Sequence, residues 1–183
     1  MPNSTSTKPN HLIISAIGHD KPGIVQSLSK VVFDNGCNIL DSRMMVLGGE
    51  FSVIMLTSGN WNHIAKLESA IKHAASEADL TITLTRTENK DAQPTLLPYM
   101  VEVISIDHPG IVYQVADFFS RHQINIEDLS SDSYHAAHTG TPMFSMNIAI
   151  SVPSQLSISE LRAQFLSFCD EFNIDAVIEP LKK

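Results

Sequence analysis

The residues best suited to chemistry in this chain are two aspartates and two asparagines at matching places. Asp20 opens the stretch Asp20-Lys21-Pro22-Gly23-Ile24-Val25, and Asp107 opens Asp107-His108-Pro109-Gly110-Ile111-Val112, at an offset of 87 residues. Asn38 and Asn125 each follow the proline by 16 residues. A carboxylate accepts from an ammonium, and a side-chain amide both donates and accepts. The first amides of a helix lack intrahelical partners, and the partially positive helix end attracts anions. Together these groups complement both charged ends of a free amino acid. The same residues also have plain structural uses. An aspartate before a helix complements its dipole, typically by about 0.3–1 kcal/mol. An asparagine at a turn bonds to the backbone. Duplication favours neither use, because structural devices duplicate along with functional ones.

Other chemistry finds less support. His19-Asp20 and Asp107-His108 suggest a metal hydrolase, but their order reverses between the copies. His135 and His138, with Asp132, offer metal ligands in one turn, where solvated turn residues are the plainer reading. No glycine-rich phosphate loop occurs. Cys37 and Cys169 stand at unrelated places in the two copies and match no metal or redox spacing, so both are expected reduced and buried. A small metal-dependent enzyme is therefore the weakest of three functional readings. The other two are an amino-acid sensor acting on a transcription factor and one acting on a metabolic enzyme.

The elements that must position these residues are themselves repeated. Ile24, Val25, Leu28, Val31 and Val32 fall on Ile111, Val112, Val115, Phe118 and Phe119, and Asp41 falls on Asp128. Such a repeat indicates two copies of one small domain. The expected organisation is a loose tail over 1–10, a first domain over 11–87, a linker over 88–97 and a second domain over 98–181. Hydrophobic residues make up 43% of the 183, an ordinary content for a soluble globular protein. There is no apolar run long enough to span a membrane and no signal-peptide core, which reads as cytoplasmic. The net charge of −8, with basic residues scattered, argues against direct nucleic-acid binding.

Within the first copy, His11 to Ile17 reads as a strand. Pro22 opens a helix, where its fixed φ costs nothing, and residues 24, 25, 28, 31 and 32 form its apolar face. Asn35-Gly36 stops that helix. Asn38 to Leu47 and Glu50 to Thr57 are strands about a Gly48-Gly49 turn. A second helix, capped by Asn60, buries Trp61, Ile64, Leu67, Ile71 and Ala74 or Ala75. Leu80 to Thr85 alternates as a strand with an apolar and a threonine face. The second copy repeats the order over Tyr99–Ile106, Pro109–His122, Asn125–Tyr134, Met143–Ser151, Ser157 or Ser159 to Phe172, and Ile174–Pro180. The fold class is α+β: two ferredoxin-like βαββαβ domains in tandem, each an antiparallel sheet with both helices on one face. Phe51, Val53 and Met55 occupy one face of their strand and Ile54 and Leu56 the other. One apolar face packs on the helices; the other is expected to meet the sister domain, a second chain or a partner.

Asp-x-Pro-Gly-Ile-Val before an amphipathic helix, then Asn-Ile at the next strand, on a βαββαβ order, resembles the ACT domain. The resemblance covers about residues 11–87 and 98–181. It implies a regulatory module that binds amino acids between paired copies. Asp20, Pro22, Gly23, Ile24 and Asn38, with Asp107, Pro109, Gly110, Ile111 and Asn125, match its ligand-contacting positions, and it implies neither catalytic residues nor a metal. ACT domains often carry a polar side chain four residues before the proline. Here Gly18 and Ser105 stand there, so the first copy departs from that pattern, and Gly18 either leaves room for a ligand or eases a bend. Gly36-Cys37-Asn38-Ile39, Asp41-Ser42-Arg43 and Ser58-Gly59-Asn60-Trp61-Asn62 are similar to a narrower family, the tandem-ACT repressors of the glycine cleavage operon. That likeness implies a protein partner, a LysR-type transcriptional activator, with glycine as relieving effector and no cofactor. Both halves are taken up by the repeats, which leaves no room for a catalytic domain.

Overall fold

The computed structural model describes residues 10–87 and 96–181. The chain divides into two compact units, one through Asp91 and one from Ala92. The first unit runs β1 (Asn10–His19), α1 (Ile24–Asp34), β2 (Asn38–Leu47), β3 (Glu50–Gly59), α2 (Trp61–Glu77) and β4 (Thr81–Thr87). The second runs β5 (Leu96–Ile106), α3 (Ile111–Arg121), β6 (Asn125–His135), β7 (Pro142–Pro153), α4 (Ile158–Glu171) and β8 (Asp175–Pro180). The strand orders are β2-β3-β1-β4 and β6-β7-β5-β8, with every pair antiparallel. The expected βαββαβ class is thus what forms, twice. The tail expected over 1–10 and the linker over 88–97 lie mostly outside the described residues. Asn10 already belongs to β1, and Leu96 and Leu97 to β5.

In the first unit Leu12, Ile14, Ala16, Phe51, Val53 and Met55 line one sheet face and pack on Ile24, Leu28, Val32, Ile64, Leu67 and Ile71. Burying each of these side chains apart from the small Ala16 favours folding by about 1.5–3 kcal/mol. The second unit replaces aliphatic helix contacts with rings: Phe118, Phe119 and Phe165 lie with centroids 5.0–5.4 Å apart. The opposite face of the first sheet also carries apolar groups, with Ile17 and Ile54 about half exposed.

Three details differ from the sequence reading. Pro22 and Pro109 do not open their helices, which begin two residues later at Ile24 and Ile111. The cause is glycine: Gly23 has φ 94° and ψ −7°, and Gly110 φ 103° and ψ −7°. Those angles belong to the third residue of a type II turn, with proline in its preferred second place. Val25 and Val112, read as buried, are 49% and 39% exposed, because they flank rather than face the sheet. Trp61 is 60% exposed. Its ring lies beside the Arg86 guanidinium, 6.0 Å away, instead of in the core.

Candidate functional site

Each repeated loop is fixed by its surroundings, not by its own side chains. The Asp20 N–H donates to Gly49 O at 3.0 Å, and the Asp107 N–H to Pro142 O at 3.0 Å. Each loop is therefore pinned to the hairpin end of its sheet. The proline-glycine turn then swings the chain into the helix. The first intrahelical bonds are Ser27 N–H to Gly23 O (2.8 Å) and Gln114 N–H to Gly110 O (2.9 Å). Neither helix start has a side-chain cap or an acidic residue in its first turn. A capped helix satisfies some first-turn amides with a side-chain oxygen; here those amides are left to solvent or to an incoming anion.

Asp20, Lys21, Pro22 and Gly23 are exposed, as are Asp107, His108, Pro109 and Gly110. Ile24 and Ile111 are 3% and 2% exposed. Their side chains anchor the helix in the core and are not available to a ligand. The His19 ring lies 3.6 Å from Glu50 in a solvated pair beside the first loop. Among the described residues no group of three or more His, Cys, Asp or Glu could hold a metal. His135 ends β6, and His138 lies in an exposed turn closed by bonds from Ala136 N–H to Thr141 O and Gly140 N–H to Ala136 O.

The asparagines stand elsewhere. Asn38 pairs with Ser58 and Asn125 with Ser151, at the far ends of β3 and β7 from the loops. From Gly49 to Ser58 is nine residues, which at about 3.3 Å each is roughly 30 Å of strand. A unit's own aspartate and asparagine are therefore not brought together, contrary to a reading that groups them by spacing alone. In both units a β-bulge follows the asparagine, between Ile39 and Asp41 and between Ile126 and Asp128. Among the described residues the Asn38 side chain makes no hydrogen bond, whereas Asn125 Nδ2 donates to Glu127 Oε1 at 2.8 Å. Glu127 was not singled out from the sequence. Its signal was the break in the repeat, since Leu40 stands at the equivalent place.

Gly18 and Ser105 differ in use from the contacts expected of that position. A Cβ on Gly18 would lie 2.8 Å from Leu80 Cδ2 and 2.9 Å from Asp79 O, so its bare backbone lets the corner between α2 and β4 pass close by. Ser105 is 5% exposed and donates to Ile106 O at 3.0 Å. Both cysteines are free thiols. Burial, helped by Asp170, pushes Cys169 up to about 12. Cys37 is only half-buried, not buried as expected, and burial raises its thiol too.

Two βαββαβ units, each with an uncapped Asp-x-Pro-Gly loop and an asparagine opening its second strand, define a tandem ACT-domain protein. The ACT domain family matches residues 10–85, the first unit. The chain belongs to the family of glycine cleavage system transcriptional repressors, which are regulators and not enzymes. The repressor of that name from Escherichia coli is 33% identical over 174 residues, covering 95% of this chain and 92% of the relative. A crystal structure provisionally named as such a repressor superposes with a TM-score of 0.71 at 29% identity, over 96% of this chain and 99% of that one. A protein of unknown role from Galdieria sulphuraria superposes with a TM-score of 0.84 at 26% identity, over 96% and 100%. No described helix is long and apolar enough to cross a membrane.

Proposed function

We propose that this chain is an amino-acid-responsive repressor of the glycine cleavage system, working in the cytoplasm through a protein partner, a LysR-type activator, and not by holding DNA. The observation that carries the reading is family membership over 95% of the chain. A small amino acid, glycine by preference, is the effector. Its carboxylate meets the uncapped amides that follow Pro22-Gly23 and Pro109-Gly110, and its ammonium meets Asp20 or Asp107. Asn38 and Asn125 complete the contacts. Since a unit's own aspartate and asparagine stand at opposite sheet ends, an amino acid touching both types takes one of them from a second copy of the chain, which makes the protein a homo-oligomer.

The charge of −8 supports action through a protein. An acidic surface is repelled by phosphates unless a basic patch overcomes it. A protein partner needs no such patch, and half-exposed Ile17 and Ile54 offer it an apolar surface. Glycine controls partnering only if it binds the free and partnered forms with different affinity. A tenfold shift needs about 1.4 kcal/mol, within reach of one hydrogen bond to a charged group at about 1.5–3 kcal/mol.

A gel shift with purified components tests this. Alone, the protein leaves promoter DNA unshifted. Added to the activator–promoter complex it changes the band, and glycine weakens the change. Sequence-specific binding to DNA by this protein alone, or a complex indifferent to it, would contradict the proposal.

A further inference from the structure

The two asparagine corners share a fold position but not a chemistry. In β2 the residue at the bulge after Asn38-Ile39 is Leu40, which is apolar and about half exposed. In β6 the same bulge presents Glu127, an exposed carboxylate bonded to the Asn125 amide. A bulge adds one residue to a strand and re-aims the side chain there. An amide has two N–H donors and an acceptor oxygen. Glu127 ties up one donor of Asn125, fixes the orientation of its amide and sets a negative charge beside it. What remains foremost at that corner is acceptor capacity.

The surroundings differ as well. Beside Asn125 lies a shallow cleft of about 490 Å³, lined by Ala116, Ser120, Gln123, Ile124 and Ile126. At the positions of Ala116 and Ser120 the first unit has Ser29 and Phe33, and the Phe33 ring is 78% exposed. The cleft gives the second corner room for a longer ligand, and Glu127 gives it a carboxylate to meet a positive group on that ligand.

We infer that Glu127 determines specificity, making the Asn125 corner selective for ligands with an extra ammonium, such as diamino acids, and leaving the Asn38 corner to neutral amino acids such as glycine. This rests on the amino-acid function proposed for these asparagines. Two copies with unequal preferences let one chain respond to a neutral effector at one corner while a cationic one competes for the other.

The test is a pair of NMR titrations of the full chain, with glycine and with lysine, following the side-chain amide signals of Asn38 and Asn125. In the wild-type protein glycine moves the Asn38 signal at a concentration at least about tenfold lower than it moves Asn125, and lysine reverses that order; tenfold corresponds to about 1.4 kcal/mol. In Glu127→Leu, which installs the residue of the first copy, the two glycine midpoints converge to within about threefold. Glu127→Gln keeps a hydrogen-bond acceptor and removes the charge, and is expected to behave like Glu127→Leu. Equal glycine midpoints in the wild-type protein, or a Glu127→Gln protein that titrates like wild type, would overturn the inference and leave the amino-acid function standing. Silence of both signals toward every common amino acid would end both.

Discussion

At the scale of single residues, two glycines set the geometry of the candidate site. Gly23 and Gly110 have φ of 94° and 103°, and a Cβ at either would meet nothing within 4 Å. Space is therefore not what demands glycine there; the left-handed backbone is. Gly23→Ala and Gly110→Ala are each expected to lower the stability of their own unit by about 1–2 kcal/mol, the conformational cost of that region. Urea unfolding curves read this as a lower midpoint at unchanged slope. The pairing of proline with glycine was legible as a type II turn, yet proline at a helix start is an equally familiar pattern. The two signals compete, and only the backbone angles decide. Gly18 was harder to read. Its reason for being glycine is the carbonyl of Asp79, a residue 61 positions away that no local pattern reveals. At the end of α3, Gln123 takes the left-handed place held by Gly36 in α1, with φ of 57° against 68°.

At the scale of elements, the helix faces and strand alternation placed most of the core. Phe51, Val53 and Met55 on β3, and Ile64, Leu67 and Ile71 on α2, are buried as their spacing requires. Trp61 extended the same stripe in sequence, but it is the first residue of α2 and stays largely exposed. There its neighbour is Arg86, whose Nε and Nη2 donate to both oxygens of Glu68 at 2.7 and 2.8 Å. This pair links α2 to the edge strand β4. The hydrogen bonds from Arg86 hold the Glu68 carboxyl below its ordinary value of 4.5. A depressed carboxylate contributes stability above its unfolded value and loses it as pH falls through the folded one. The first unit is thus expected to lose a stabilising contribution on acidification below about pH 4.5. Thermal unfolding of wild type and Glu68→Gln between pH 6 and pH 3 measures it. The difference between the two proteins should shrink toward the acid end, and because the pair is partly exposed it should also shrink in high salt.

At the scale of the whole molecule, the repeat makes the tandem architecture legible in the sequence alone. Duplicated loops, duplicated bulges and duplicated strand orders follow from one duplicated text. What the repeat concealed is inequality. Asn38 and Asn125 look alike in sequence, but among the described residues only the second is bonded to a carboxylate. Linear spacing also suggested that Asp20 and Asn38 share a site, while the strand register sets them at opposite sheet ends. Spacing measures distance along the chain, and a helix that returns across the sheet converts 18 residues of chain into the full length of a strand. These loops and asparagines are proposed to bind an amino acid and to make the protein responsive to it. Isothermal titration of glycine into the full chain, beside the Asn38→Ala/Asn125→Ala double variant, decides whether they do. Saturable glycine binding is expected of the wild-type protein, and at least about tenfold weaker binding of the double variant, the loss corresponding to about 1.4 kcal/mol of contact. Glycine affinity unchanged in the double variant, or no heat of binding from wild type, would contradict the proposal.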